Sequence, residues 1–307
     1  MIPNASSNHP LAAAVRDLLP DASRTTFHIL AADDIDSTNT ALKTAAREMQ
    51  SMGDAIRPTV LLARRQSGGR GRLGRSFHSP AGTGLYMSIL LVPDMPPQNA
   101  LYLTTAAAAA CAAASETLRA SVLDASAADL PPVGIKWVND LYLDGRKICG
   151  ILAEASLTPT AEALAWAVIG IGINILPPDG GFPDDIAASA GSLLPGGCVH
   201  AGDTDNITAR LCADILTAFT AALQPQAAGT VLDAYRRRSV LDGRRITLRP
   251  ASSLGGEEIL ATALGISDDF GLRVRYDDGR EAVLSSGEAV LCGEGDLQSA
   301  RTSVHLS

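Results

Sequence analysis

The chain of 307 residues is long enough for one large domain or two, and 46% apolar residues with only 4% aromatics predict an aliphatic core with closely packed helices. Its 25 basic residues against 33 acidic ones leave a formal charge of -8, which opposes nonspecific attraction to a polyanion such as DNA. The five cysteines (Cys111, Cys149, Cys198, Cys212, Cys292) show neither CxxC nor Cys-His ligand spacing, which excludes a disulfide frame and a cysteine metal site and reads as small buried hydrophobes in a reducing compartment.

No cationic stretch precedes the first apolar residues, so a cleaved secretory signal is not expected, and the longest apolar run, Ala106 to Ala114, is too short to span a bilayer. A cytoplasmic protein follows. Residues 1–26 hold a short amphipathic segment, Leu11 to Leu19 between Pro10 and Pro20, expected as a tail or peripheral helix. Phe27 to Ala32 reads as a strand, and Asp36-Ser37-Thr38-Asn39 supplies capping side chains for a helix ending near Gln50. The strand Val60 to Ala63 runs into a glycine- and arginine-rich loop, Ser67 to Arg75. Leu85 to Val92 is a further strand, and Asn99 to Arg119 is an alanine-rich helix of strong intrinsic propensity.

Ile135 to Val138, Leu141 to Leu143 and Lys147 to Glu154 read as strands, the last two joined at the hairpin turn Asp144-Gly145. The strand Ala165 to Ile175 ends in GIGIN, and helices at Asn206 to Leu223 and Thr230 to Ser239 follow a Pro/Gly-rich loop, Pro177 to Gly202. From Arg244 onward short alternating strands (Arg245 to Arg249, Ile259 to Leu264, Leu272 to Tyr276, Glu281 to Leu284) between Gly/Asp turns predict a small β-domain. The predicted fold class is α/β (α+β). A central mixed β-sheet flanked by helices spans residues 27–240, a small β-barrel-like domain spans 241–298, and 299–307 form a tail.

The densest chemical signal is GGRGRLGR, Gly68 to Arg75, directly after a strand. Glycines let backbone N–H groups turn toward an anion, and Arg70, Arg72 and Arg75 add forked cationic donors, so a phosphate or carboxylate is the natural ligand. Gly69, Gly71 and Gly74 satisfy GxGxxG, but SFHSPAGT after them opens no helix, which rules out a dinucleotide fold; no Gly-Lys-Ser/Thr follows to make a Walker loop. The second signal is KWVND, where Lys136 between Ile135 and Trp137 is costly to bury without an anionic partner. Taken alone, Lys136 also reads as a solvent-facing edge-strand lysine and Asn139-Asp140 as a plain turn. Their company with the arginine loop points to an anion site.

DSTN (Asp36 to Asn39), QSGGRGRLGR (Gln66 to Arg75), SPAGTGLYMS (Ser79 to Ser88), KWVNDLYLDGRKICGILAE (Lys136 to Glu154) and GIGIN (Gly170 to Asn174) together resemble the biotin-protein ligase family, and SSGEAVL (Ser285 to Leu291) resembles its C-terminal Gly-Glu strand. The resemblance implies a C-terminal domain of SH3-like barrel type and an ATP-dependent ligase that forms biotinyl-5'-AMP. Biotin then passes to a lysine of a biotin carboxyl carrier protein, from acetyl-CoA carboxylase or a related carboxylase. ATP and biotin are the implied substrates with Mg²⁺, without a protein-borne metal site. Neither DNA nor membrane is an expected partner, because only about 26 residues precede the first strand, too few for a winged DNA-binding module.

Carried over by motif, Ser37, Thr38 and Asn39 meet the ureido head of biotin, Gln66 also contacts biotin, and Gly69, Arg70, Gly71 and Arg72 form a loop closing over biotin and adenylate. Lys136 lies between the biotin carboxylate and the α-phosphate, and Gly150 allows close backbone approach. Arg70, Arg72, Arg75, Phe77, Lys136, Asn139, Asp140 and Asn174 face the adenylate, with Lys136 and Arg72 carrying catalysis. Val138 replaces the usual proline of KWPND and Phe77 a common tryptophan, leaving less stacking area. The alternatives are a lipoate ligase or octanoyltransferase, which shares Arg64-Arg65-x-x-Gly68-Gly69 but continues with a third glycine where Arg70 stands, and a noncatalytic biotin-binding regulator. Repulsion among the loop arginines predicts that Ser67 to Arg75 stays open until an anion binds.

Overall fold

A computed structural model describes residues 2–200, 203–249 and 258–292. Helix α1 (Pro10–Leu18) begins where His9 accepts the Leu11 N–H and where proline loses nothing by lacking a donor; it buries Leu11, Ala12 and Val15. The segment expected as a tail or peripheral helix thus lends a packed face to the core. A short α2 (Asp21–Thr26) follows, unforeseen because six residues are too few to show a period. Strand β1 (His28–Ile35) leads to α3 (Thr38–Met52), capped by Ser37 and closed by Gly53 at φ 75°.

Strands β2 (Thr59–Gln66) and β3 (Gly84–Leu91) precede the long α4 (Ala100–Val122). Strands β4 (Gly134–Lys136), β5 (Asp140–Leu143), β6 (Arg146–Leu157) and β7 (Leu164–Asn174) complete a seven-stranded sheet in the order β1-β2-β3-β7-β6-β5-β4. Only β1 and β2 pair in parallel, with α3 as their crossover; the other pairs are antiparallel. Helix α3 covers one face, while α1, α4 and α5 (Thr204–Ala222) cover the other, and α6 (Ala228–Arg238) packs on α4.

Period-two alternation sorts side chains between these layers. Along β7, Ile169, Ile171 and Ile173 enter the core beneath α4 and α5, so Val168, Gly170 and Gly172 face the α3 side. Antiparallel register then sets rows across the α3 face. One row runs Ser88, Gly170, Leu152; the next runs Tyr86, Gly172, Gly150, Asp140, Lys136. Glycines thus floor a depression between the start of α3 and the end of β4.

The small domain is a five-stranded antiparallel sheet of β8 (Arg245–Arg249), β9 (Ile259–Ile266), β10 (Leu272–Tyr276), β11 (Glu281–Leu284) and β12 (Glu288–Leu291), ordered β11-β10-β9-β8-β12. It docks through Phe270, whose ring packs against Tyr102 and Tyr235 at centroid distances of 5.3 and 6.4 Å. The Trp137 Nε1–H donates to Phe270 O at 3.0 Å. Among the described residues no helix is long and apolar enough to cross a membrane.

Trp137 is only 3% exposed, so Trp137→Phe leaves the Phe270 carbonyl buried without its donor. The expected cost is about 1–3 kcal/mol of stability, measured by urea unfolding against the wild type.

Candidate active site

At one end of the depression stands a row of buried polar groups, which are stable only when hydrogen-bonded. Ser37, Thr38 and Asn39 start α3, Gln66 ends β2, and Ser88, 0% exposed, sits mid-β3. Ser88 Oγ donates to Asn39 Oδ1 at 2.8 Å and contacts Thr38 Oγ1 at 2.8 Å. The Thr38 N–H and hydroxyl reach Gln66 Oε1 at 2.9 and 3.1 Å, and Gln66 Nε2 donates to Ser79 Oγ at 3.1 Å. This end is neutral and rich in fixed donors and acceptors.

A Cβ at Gly170 would collide with Asn39 Oδ1, and one at Gly172 would lie 2.6 Å from the Phe77 ring. The Phe77 ring therefore rests on the glycine floor, edge-on to Tyr86 at 6.4 Å. Gly150 continues that floor toward Lys147, whose Nζ would stand 3.4 Å from an added Cβ.

The opposite end is cationic. Lys136 is 9% exposed; burial lowers its pKa, opposed by Asp140 and Glu288. Among the described residues its ammonium has no hydrogen bond or ion pair, and it lies 5.7 Å from the Tyr142 ring centroid. Burial pushes the Tyr142 hydroxyl up to about 12, so this ring neighbour stays neutral. Lys147 pairs with Asp140 at 2.8 Å, and Asn139 Nδ2 donates to Asp140 Oδ1 and Ile151 O, both at 2.9 Å.

The arginine loop is held by protein groups. Gly71 N–H donates to Arg75 O at 2.7 Å, with Leu73 (φ 56°) and Gly74 (φ 75°) both left-handed in the turn between. Arg72 donates to Asn139 Oδ1 at 2.9 Å and Gly287 O at 3.0 Å, and Arg75 forms a forked pair with Glu288 at 2.6 and 2.8 Å. The expectation of an open loop left out these contacts, because nothing local in the sequence pairs residue 75 with residue 288.

Most of these groups line one cleft that is partly open to solvent. Ser37, Thr38, Asn39, Gln66, Arg70, Gly71, Arg72, Arg75, Phe77, Lys136, Asn139, Asp140 and Gly150 all reach it. Gly69 does not line it; a Cβ there would clash with Phe77 O, so its glycine serves the loop's own packing. Asn174 does not line it either, and its Nδ2 donates to Gly191 O at 3.0 Å. Sequence reasoning missed Ser88, Lys147 and Glu288 as cleft residues. All three lie within motifs that carry the resemblance, and Ser88 also stands out as a lone hydroxyl in an apolar strand. No group of three or more His, Cys, Asp or Glu side chains among the described residues could hold a metal ion.

Residues 31–174 match the sequence model of the biotin/lipoate A/B protein ligase family. A biotin--[acetyl-CoA-carboxylase] ligase of Mycobacterium tuberculosis is 33% identical over 260 residues, covering 83% of this chain and 85% of that protein. The bifunctional ligase/repressor BirA of Bacillus spizizenii is 34% identical over 166 residues, covering 54% of this chain; the match spans only 46% of that longer relative. In fold, the chain is similar to the biotin protein ligase from Aquifex aeolicus solved in complex with biotin and ATP, with TM-score 0.59 and 23% identity over 86% of this chain and 98% of that one.

The Arg75 pair holds the Glu288 carboxyl below the usual carboxylate range, against the opposing effect of burial. A depressed carboxylate contributes above its unfolded pKa, and its contribution is lost as pH falls through the folded value. Amide exchange over residues 70–76, corrected for intrinsic rates, should therefore rise on acidification below the ordinary glutamate range. Glu288→Gln should raise that exchange already at neutral pH and flatten its acid response.

Proposed function

The chain belongs to the biotin-protein ligase branch of the biotin/lipoate A/B protein ligase family, and on that premise we propose that it joins biotin to ATP as biotinyl-5'-AMP and transfers the biotin to a carrier lysine. One observation carries the reading: a neutral donor–acceptor end and a cationic end share one cleft, with buried Lys136 near its cationic wall. A cyclic urea suits the first end, and a carboxylate beside a triphosphate suits the second.

In the first half-reaction a biotin carboxylate oxygen bonds to the α-phosphorus and pyrophosphate departs. Two anions must meet while charge grows on the phosphoryl oxygens, so preorganised cations lower the barrier. Lys136 and Arg72 take that role, with Arg70 and Arg75 adding positive charge at the loop. Phe77 covers the bound ligand and helps exclude water from the mixed anhydride. Asn139 orients Arg72 and Asp140 orients Lys147. Next, the carrier's lysine amine attacks the acyl carbon and AMP leaves toward the same cations.

Mg²⁺ fits as a passenger on the ATP phosphates. Asn139 and Asp140 would offer it oxygens from the cleft wall, in exchange for their present Arg72 and Lys147 partners. When bound, it neutralises phosphate charge. The partner in this reading is a biotin carboxyl carrier protein of acetyl-CoA carboxylase or a related carboxylase, met in the cytoplasm. DNA is not a partner, since a net charge of -8 opposes a polyanion.

ATP–pyrophosphate exchange tests this directly: biotin should support it, and lipoate or octanoate should not. Lys136→Gln keeps side-chain length and removes charge, so the exchange rate at saturating substrates should fall roughly 10²- to 10³-fold, as for loss of one preorganised electrostatic donor. Biotin affinity should change far less. Near wild-type exchange by the variant would remove Lys136 from the mechanism.

A further inference from the structure

The geometry points to Glu154, held by Lys43 beside the cleft, as the positioning residue that fixes the polarity of the buried oxygen row and makes the site demand N–H donors from its ligand. This inference rests on the biotin reading above. Glu154 does not line the cleft; it stands one row beyond Leu152 on the α3 face of β6, paired with Val168. Lys43 Nζ lies 2.5 Å from its Oε1, and Asn39 Nδ2 donates to its Oε2 at 2.8 Å.

A carboxylate only accepts hydrogen bonds. Asn39 must therefore turn its nitrogen to Glu154, and at a longer 3.5 Å to the Leu152 carbonyl, and its oxygen to Ser88, 2.8 Å away. The other end of the row is fixed by the same logic. Ser79 Oγ donates its hydrogen to Phe77 O at 2.9 Å, so it can only accept from Gln66 Nε2. Gln66 Oε1 then faces inward, toward the Thr38 N–H.

Between these two amide oxygens stand the hydroxyls of Ser88 and Thr38. The three oxygen–oxygen contacts along the row, at 2.8, 2.8 and 3.1 Å, share only two hydroxyl hydrogens. With Ser88 donating to Asn39, Thr38 to Ser88 and the Thr38 N–H to Gln66 Oε1, each acceptor has a donor and both hydroxyl hydrogens are spent, so the row offers a ligand only lone pairs. A ligand head that brings N–H groups can donate to those lone pairs. One that brings only acceptors, or a dithiolane or alkyl chain, cannot. The Ser37 hydroxyl caps Thr40 as an acceptor at 3.4 Å, which leaves its own hydrogen for a ligand carbonyl.

Without the Glu154 charge only the long contact to Leu152 O still holds the Asn39 nitrogen, so the amide can flip. Its nitrogen would then donate to Ser88 and free the Ser88 hydrogen, so the row would no longer offer a ligand lone pairs alone. Glu154→Gln is the matching variant, because glutamine keeps the volume at a partly exposed position and can donate to a flipped Asn39 oxygen. The probe pair is biotin and its cyclic carbamate analogue, in which oxygen replaces one ring N–H, compared by ATP–pyrophosphate exchange.

The wild type should favour biotin about 10- to 100-fold in kcat/KM, the scale of one unmet buried hydrogen bond. In Glu154→Gln the biotin KM should rise about tenfold with kcat nearly unchanged, and the preference should shrink to about threefold or less. A purely structural role would weaken both ligands by the same factor; that result, or an unchanged KM and preference, overturns the inference. So does a wild type that uses the carbamate as well as biotin, whatever the variant does. A wild type with no biotin-dependent exchange overturns the parent reading instead.

Discussion

The start of α3 can lie on the sheet only because residue 170 has no side chain. A Cβ there would occupy the place of the Asn39 amide oxygen, and the whole polar end of the cleft hangs on that close approach. The same strand must also build the core, and period-two alternation lets it do both. Ile169, Ile171 and Ile173 pack beneath α4 and α5 while Gly170 and Gly172 open the opposite face. A one-residue slip of β7 would bury glycine in the core and fill the cleft with isoleucine. Register, fixed by the apolar face, therefore also fixes where the chemistry sits.

The second constraint is charge. Lys136, Lys147, Arg72 and Arg75 converge on one end of the cleft, and like charges so placed would repel. The protein answers with Asp140 on Lys147 and Glu288 on Arg75, while Asn139 and the Gly287 carbonyl take the Arg72 guanidinium. Lys136 differs in kind. It is buried beside a neutral ring without a hydrogen-bonded partner among the described residues, so an arriving anion gains its full attraction without first displacing a carboxylate. That difference singles out Lys136 as the reactive cation and leaves the paired ones to hold geometry.

Much of this was legible in the sequence because it is local. The strand GIGIN, the loop GGRGRLGR and the turn KWVND each carry their chemistry within a few residues, and the resemblance to ligases adds their joint meaning. What stayed hidden is relational. Ser88 becomes a site residue only through its pairing with Gly170, and Glu154 only through Asn39, which is 115 positions away in sequence. Glu288 joins the cleft by reaching Arg75 from the small domain, 213 positions on. The Asn174 partner was equally hidden: its amide donates to Gly191 in the loop after β7, 17 positions on. Motifs fix residue types, whereas hydrogen-bond partners depend on register and domain docking.

The small β-domain is therefore part of the site and not an appendage. It meets the larger domain at Phe270, which accepts from Trp137 next to Lys136, and at Gly287 and Glu288, which take the loop arginines. Both contacts fall on the two segments that carry positive charge. The Trp137 contact is buried and neutral, suited to permanent packing, whereas the Arg75–Glu288 pair is largely exposed on the arginine side and only modestly stabilising. A weak, charged contact on the loop beside a strong, apolar one on the lysine strand divides the labour. The strand that positions Lys136 is kept rigid, and the loop can exchange a protein carboxylate for a ligand phosphate at little net cost.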